Sequence, residues 1–464
     1  MSFLICIGAL IFLMFVAYRG YSVILFAPVA ALGAVLLTDP QAVLPIYSGL
    51  FMESMVGFIK LYFPVFMLGA LFGKVIELSG FARSIVSSVI RVVGSERAML
   101  SIVLVGALLT YGGVSLFVVV FAVYPFAAEM FRQGNIPKRL IPATIALGAF
   151  TFTMDSLPGT PQIQNIIPTT FFKTTGMAAP TLGTLGGLFI LVVGILYLNS
   201  RRRAAAAAGE GYGTGHINEP EAFDHGGSVN PVIAILPLFV VGLSNLAFTQ
   251  WVGPNIWGAA SEIVLSPGAK PVVQQVSKLL AIWSVESALL LGILTVIAFA
   301  WKPIRAKFAE GSKAAVAGSL LASLNTASEY GFGAVIAALP GFLVIKDALK
   351  SIPNPLVNEA ITVTTLAGVT GSASGGMSIA LAAMADQFTA AANAAGIPLE
   401  VLHRVAAMAS GGMDTLPHNG AVITLLAVTG LTHIQSYKDI FAITCIKTSA
   451  VFVVIGLYYL TGLV

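Results

Sequence analysis

Charge is scarce in this chain. Only 9% of its 464 residues are Asp, Glu, Lys or Arg, against roughly 25% in a typical soluble domain, which excludes an ordinary water-facing surface. Cysteine is almost missing: Cys6 and Cys445 both lie in apolar runs, so a disulfide framework and a zinc site drop out and the redox compartment stays open. Neither His-Glu-x-x-His, Gly-x-Ser-x-Gly nor a phosphate-cradling glycine loop occurs, so the chain is not read as an enzyme, and no cofactor or metal is expected. The 24 basic residues against 20 acidic ones are scattered apart from Arg201-Arg202-Arg203, so nucleic acid is not an expected partner.

Apolar residues are what the chain has: 57% of the total, with a mean hydropathy of +0.92. The partner this implies is a lipid bilayer, and the fold class is an all-α polytopic membrane protein. Runs long enough to cross about 30 Å of hydrocarbon occur near 2–18, 22–38, 54–79, 180–199, 230–248, 277–300, 313–340 and 439–462. No positive n-region precedes the first and no small-residue cleavage site stands out, so it reads as a retained span.

Other apolar stretches are interrupted. The 97–131 stretch breaks at Tyr111-Gly112-Gly113-Val114-Ser115, and the 137–175 stretch at Asp155 through Pro161. The second half breaks likewise at Thr370–Ser378 and Gly411–Gly420. Gly costs about 1 kcal/mol and Pro about 3 in a helix interior, so such clusters predict a re-entrant hairpin followed by a discontinuous helix in each half.

The halves echo each other. Met154-Asp155-Ser156-Leu157-Pro158-Gly159 returns as Met413-Asp414-Thr415-Leu416-Pro417-His418, Phe72-Gly73-Lys74-Val75-Ile76 as Phe332-Gly333-Ala334-Val335-Ile336, and Gly112-Gly113-Val114-Ser115 as Gly375-Gly376-Met377-Ser378. A duplicated unit follows. The expected organisation is a first repeat at 1–200 (hairpin 97–131, broken helix 137–175), a cytoplasmic linker at 201–229, and a second repeat at 230–464 (hairpin 355–388, broken helix 398–433). Basic flanks give orientation: Arg83, Arg91, Arg97, Arg132, Lys138 and Arg139 flank the first hairpin, while Lys346, Lys350 and Arg404 flank the second against Asp347 and Glu400. The repeats are therefore expected to be inverted, each with three spans, a hairpin, a broken helix and a closing span, and both termini periplasmic. The linker's composition suits a mobile tether with solvated His216 and His225. Arg83–Val93 reads as an amphipathic surface helix, 249–275 as an external loop, Glu286 as near an interface, and His403 and His433 as helix ends.

Unwound backbone in lipid costs several kcal/mol per unsatisfied group, so it persists where it lines a cavity or is covered by protein. Helix N-termini exposed at such breaks attract carboxylates, and inverted repeats bring them to the midplane. The expected ligand is a small anion bound by Gly112, Gly113, Ser115, Ser156, Gly159, Thr160, Gln162 and Asn165 from one half, and by Ser372, Ser374, Gly375, Gly376, Ser378, Thr415, His418 and Asn419 from the other. Asp155, Asp414 and Glu329 are acids inside apolar segments, each costing roughly 2.5 to 3.5 kcal/mol at a helix centre. Together with His418 they form the expected coupling set. Capping of re-started half-helices is the alternative role for Asp155 and Asp414. Glu329 has no acidic counterpart in the first half, where Gly69 stands.

The order Tyr111-Gly112-Gly113, Asn135-Ile136-Pro137, Ser156-Leu157-Pro158-Gly159-Thr160-Pro161, Thr370-Gly371-Ser372-Ala373-Ser374 and Asp414-Thr415-Leu416-Pro417 resembles the gluconate permease (GntP) family of the ion transporter superfamily over nearly the whole chain. The resemblance implies proton-linked uptake of small hydroxy-carboxylates across the bacterial inner membrane, by a homodimer with a fixed scaffold and an elevator-like transport domain. Tyr111-Gly112-Gly113 stands where the gluconate-type pattern has an acid, and the His-Pro-Gly signature is missing from the first break. Ser328-Glu329-Tyr330-Gly331-Phe332 is more similar to the D-beta-hydroxybutyrate permease branch, which favours 3-hydroxybutyrate with H+. The alternatives are gluconate or another organic acid with Na+, and an anion channel.

Overall fold

The computed structural model describes residues 2–19, 21–94, 97–114, 116–220, 229–258, 260–268, 270–344, 352–417 and 419–464. Among them, five helices are long and apolar enough to cross a membrane. Helices α1 (Ser2–Tyr18), α2 (Val23–Thr38) and α3 (Met52–Leu78) open the chain. Next, α4 (Phe81–Val93) buries Phe81, Ile85 and Val86 against its neighbours α5 (Ala98–Tyr111) and α11 (Pro231–Ala247). Its apolar face therefore meets protein.

α5 and α6 (Leu116–Gln133) pack together across the turn at Gly112–Val114. A broken path follows: α7 (Ile141–Ala149), the single turn α8 (Phe152–Asp155) and α9 (Ile163–Phe172), then the long α10 (Pro180–Ala207). Pro158 and Pro161 have no N–H to continue a helix, and Gly159 sits at φ +78, so α8 stops after one turn. In the second half, α12 (Val276–Arg305), α13 (Phe308–Ala338), α14 (Pro355–Thr370), α15 (Ala373–Ala394), α16 (Leu399–Ser410), α17 (Gly420–Thr429) and α18 (His433–Thr461) follow. α14 and α15 pack together across Gly371–Ser372, and α16 and α17 are separated by Gly411–Asn419.

Two groups of contacts emerge. α1, α2, α3, α11, α12 and α13 pack largely on one another, the long α13 lying against α3 and α2. The interrupted helices pack with the closing helices α10 and α18, and α13 meets this second group through α15. Exposed Leu188, Val192 and Leu196 on α10, and Leu290 and Leu294 on α12, give the outer surface an apolar belt, which marks lipid contact in a chain so poor in charge.

The 249–275 region departs from the expected loop and from an all-α fold. A π-helical turn and one short helix lead into an antiparallel hairpin of β1 (Ala260–Ile263) and β2 (Val272–Gln275). Val264 through Pro267-Gly268 supplies the reversal, Gly268 at φ +81. The run expected at 313–340 falls in the single 31-residue helix α13, Phe308–Ala338, with polar Asn325, Thr326, Ser328 and Glu329 along it, and it is not among the five apolar spans. His403 lies within α16, fully buried, instead of at a helix end.

The linker is docked where it is described. α10 carries Arg201–Arg203 as helix, and the strand of chain beyond it is held by side chains. Arg139 donates to both oxygens of Glu210 at 2.7 and 2.8 Å. Lys138, fully buried, donates to Glu219 at 2.7 Å and to Ile217 O at 3.0 Å, with Arg132 on the other Glu219 oxygen. Asn218 ties to Ala427 O at the end of α17 (2.8 Å), and His216 bonds Tyr212 O at 2.8 Å. His225 lies outside the described residues.

Burial pushes the Glu219 carboxyl up, but hydrogen bonds from Lys138 and Arg132 outweigh it and hold the group below its ordinary 4.5. A carboxyl lowered on folding adds stability that is complete above its unfolded value and lost as pH falls through the folded one. Glu219→Ala leaves Lys138 buried with one acceptor fewer, and an expected loss of about 1 to 3 kcal/mol at neutral pH. Thermal unfolding in detergent checks this: the gap between wild type and variant should shrink as pH drops below about 4.

Candidate functional site

One large cavity, about 1040 Å³, opens between the two groups of helices. That is the upper end of the ~300–1,000 Å³ usual for ligand pockets. All four interruptions reach it: Gly113 from the first hairpin turn, Pro161 to Gln164 from the first break, Gly371 to Ser374 from the second hairpin turn, and Asp414, Thr415 and Asn419 to Ala421 from the second break. α13 supplies Asn325, Thr326 and Glu329, and Gly69 of α3 also borders the space.

Local geometry explains these positions. Gly371 ends α14 in the left-handed conformation, and the Ser372 hydroxyl caps α15 by accepting from Gly375 N at 3.1 Å. Asn419 caps α17 by accepting from Ala421 N (2.7 Å) and Val422 N (3.0 Å), while its amide donates to Gly371 O at 2.7 Å. One side chain thus fixes the second break to the second hairpin turn. Gln162 does the same for the first pair, its amide donating to Thr110 O at 2.7 Å.

Glu329 is the acid on the cavity wall that keeps an oxygen to spare. It is 3% exposed, and Ser372 hydrogen-bonds its carboxylate, but Oε2 has no partner among the described residues. Gly375 makes room for it: a Cβ there would overlap Oε2. Thr326 and Ser374 share a hydrogen bond at 3.2 Å nearby. Gln164 Oε1, also on the cavity wall, is likewise buried without a partner among the described residues.

Asp414 is different. The Lys447 ammonium from α18 holds it in a buried ion pair and also donates to Phe150 O of the first break at 3.2 Å. Arg404 of α16, fully buried, crosses the other way. It donates to Asp155 O (3.0 Å), Asn165 Oδ1 (3.0 Å) and Ala178 O (2.8 Å). Asp155 accepts from Ser156 Oγ at 2.7 Å, and its other oxygen lies so close to Gly411 that a Cβ would overlap it. Two cations from the second half therefore bind the unwound backbone of the first.

Of the residues expected to bind or couple, Gly113, Gln162, Ser372, Ser374, Thr415, Asn419, Glu329 and Asp414 border the cavity. Ser156, Thr160 and Asn165 do not, because their polar atoms serve the break itself: Thr160 donates to Thr153 O at 2.8 Å, and Asn165 to Thr160 O and Gly176 O at 3.0 and 2.8 Å. Gly159 accepts from Asn245 at 3.1 Å. Gly112 packs against Leu238, Gly376 against the α14 backbone at Ala367, and Ser378 is fully buried in α15. Asp155, Gly375 and these residues stand behind the wall. Ser115 and His418 lie outside the described residues. Sequence reasoning missed Lys447 and Gln164, and it placed at a helix end His403, which bonds Thr174 Oγ1 at 2.6 Å. It also counted Arg404 as a loop charge, which its complete burial corrects. A lone Lys in the apolar 439–462 run was the available signal.

Breaking one side of a buried pair strands the other charge, so Lys447→Met or Asp414→Asn is expected to cost about 3 to 5 kcal/mol. The double variant Lys447→Met/Asp414→Leu should recover part of that, the Phe150 carbonyl being left without its donor. Thermal midpoints of the three purified variants check it, and a double variant as unstable as the singles would refute charge compensation as the reason for the pair.

No family model matches the chain. Across its full length and the full length of the relative, it is 59% identical over 474 aligned positions to the uncharacterized transporter YxjC of Bacillus subtilis (strain 168). Its fold is similar to that of the Alcanivorax borkumensis YdaH transporter, described as having an unusual topology, with a TM-score of 0.60 at 14% identity, covering 92% of this chain and 90% of that one. It is also similar to Neisseria gonorrhoeae MtrF, described among antimetabolite efflux pumps, with a TM-score of 0.54 at 14% identity over 91% and 85%. The apolar spans, the cavity where the helix breaks meet and the full-length identity agree: this chain belongs to the family of the transporter YxjC and is a membrane transporter.

Proposed function

We propose that the protein is a secondary active symporter that imports a small hydroxy-carboxylate, with 3-hydroxybutyrate the favoured substrate, together with H+. The observation that carries this reading is Glu329: a carboxyl on the cavity wall with one oxygen unpartnered and no cation within ion-pairing distance among the described residues. Such a group takes up a proton as its counter-charge, since an isolated buried carboxylate is costly. Asp414 already has the Lys447 ammonium as its counter-charge, so it positions the second break and offers little to Na+. This favours H+ over Na+ and narrows coupling to Glu329. Asp155, bonded to Ser156 and set against Gly411, is likewise a positioning residue.

The substrate reading is supported by the resemblance to gluconate permeases and by the cavity's chemistry. The bare acceptor of Gln164 suits a substrate hydroxyl, while the Ser374 and Thr415 hydroxyls would donate to a carboxylate by exchanging their bonds to Thr326 and Thr444. The inverted-repeat organisation within 1–200 and 230–464, the periplasmic termini, the inner-membrane location and the homodimer belong to this same reading. So does elevator motion, in which the interrupted helices travel with α10 and α18 past the α1–α3 and α11–α13 group.

Proteoliposomes offered labelled 3-hydroxybutyrate, lactate, gluconate and citrate under separate proton and sodium gradients test the proposal. Uptake of 3-hydroxybutyrate driven by the proton gradient alone is expected. Glu329→Gln should lower proton-driven accumulation at least about tenfold, one pK unit of coupling being ~1.4 kcal/mol, while leaving substrate counterflow. Unchanged accumulation in that variant would remove Glu329 from the mechanism, and sodium-driven uptake would overturn the coupling ion.

A further inference from the structure

A second cavity, about 310 Å³, sits at the far end of α10, and transport chemistry makes no use of it. Its wall is cationic. Arg97, at the N-cap of α5, faces Arg202 and Arg203 of α10, with Asn199 one turn earlier. None of these three arginines has a carboxylate within ion-pairing distance among the described residues, whereas their neighbour Arg201 bonds Asp439 at 2.7 Å.

The surface leading to this cavity is apolar. Leu188, Val192 and Leu196 of α10 are 50%, 53% and 64% exposed and recur every four residues, so they form one stripe along the helix. Ile195, beside that stripe, lines the cavity itself. At 1.5 Å per residue, Leu188 and Asn199 are about 16 Å apart along the axis, close to one leaflet's half of the ~30 Å hydrocarbon core. Counted from Pro180, Arg201 falls about 31 Å along the helix, a length that matches the ~30 Å hydrocarbon core.

We propose that this cavity binds the headgroup of an anionic phospholipid, with an acyl chain lying along Leu188, Val192 and Leu196. Guanidinium forks match phosphate oxygens in bidentate geometry. A free phosphate would engage the arginines and leave the stripe unused; a zwitterionic lipid would cover the stripe and bring its own cation against them. An anionic lipid satisfies both. Bound there, it joins α5 to α10 beside the docked linker.

Native mass spectrometry of the full chain, titrated with phosphatidylglycerol and with phosphatidylcholine, tests this. Retention of phosphatidylglycerol is expected to be about tenfold stronger, as three surface cations allow. Arg97→Gln/Arg202→Gln/Arg203→Gln should abolish that preference with the thermal midpoint in phosphatidylcholine unchanged, and Arg305→Gln, a basic residue at another helix end, should keep it. If the triple variant does not fold, Arg202→Gln alone should lower the preference about threefold. Equal retention of both lipids by wild type, a preference that survives the triple variant, or displacement of phosphatidylglycerol by millimolar inorganic phosphate would each overturn the proposal, the last by showing a site for free anions.

Discussion

Everything in the interrupted region depends on giving unwound backbone its hydrogen bonds in a place without bulk water. Helix breaks leave carbonyls and amides bare, and each costs several kcal/mol if it stays so inside a bilayer. Two buried cations carry much of that burden. Arg404 reaches Asp155 O and Ala178 O, and Lys447 reaches Phe150 O while neutralising Asp414. A cation buried against carbonyls alone would be expensive. Here Asp414 beside Lys447 and the Asn165 amide oxygen beside Arg404 complete the set. The price of putting charges in the membrane is thus tied to holding open a cavity that an unbroken helix could not line.

That arrangement separates two kinds of polar residue. Most of the small hydroxyl and amide side chains near the breaks are structural: Thr160, Asn165 and Asn419 hold backbone to backbone. On the cavity wall a few keep capacity to spare: Glu329 and Gln164 each have an oxygen with no partner among the described residues. Function in such a site resides in what remains unsatisfied, because a group with its full complement of partners has nothing left for a ligand or a proton. The same distinction separates Asp414 from Glu329, although both are acids in apolar helices.

Linker and closing helices show a related economy of charge. Three acids outside the breaks, Glu210, Glu219 and Asp439, gather Arg139, Lys138, Arg132 and Arg201 around them. They bind the α7 entry, α10 and α18 to one another at one end of the bundle. Arg97, Arg202 and Arg203 stand apart from these pairs and have no carboxylate within ion-pairing distance among the described residues.

Much was legible in the sequence: the membrane class from missing charge and long apolar runs, the four interruptions from Gly and Pro clusters, and Glu329, Asp414, Ser372 and Asn419 as polar groups at or beside them. These signals are local, because a proline or an acid in an apolar helix has a cost that no partner elsewhere can hide. What lies across the chain was not legible. Lys447 is 33 residues from Asp414 and Arg404 is 249 from Asp155, and no periodicity encodes such pairing. The β-hairpin at 260–275 and the docking of 210–219 likewise come from partners that only the folded chain supplies. Sequence determined where the helices must break and which residues are too polar for lipid; tertiary structure alone decided which of those groups are consumed in closing the breaks, and which are left facing the cavity with a bond still to make.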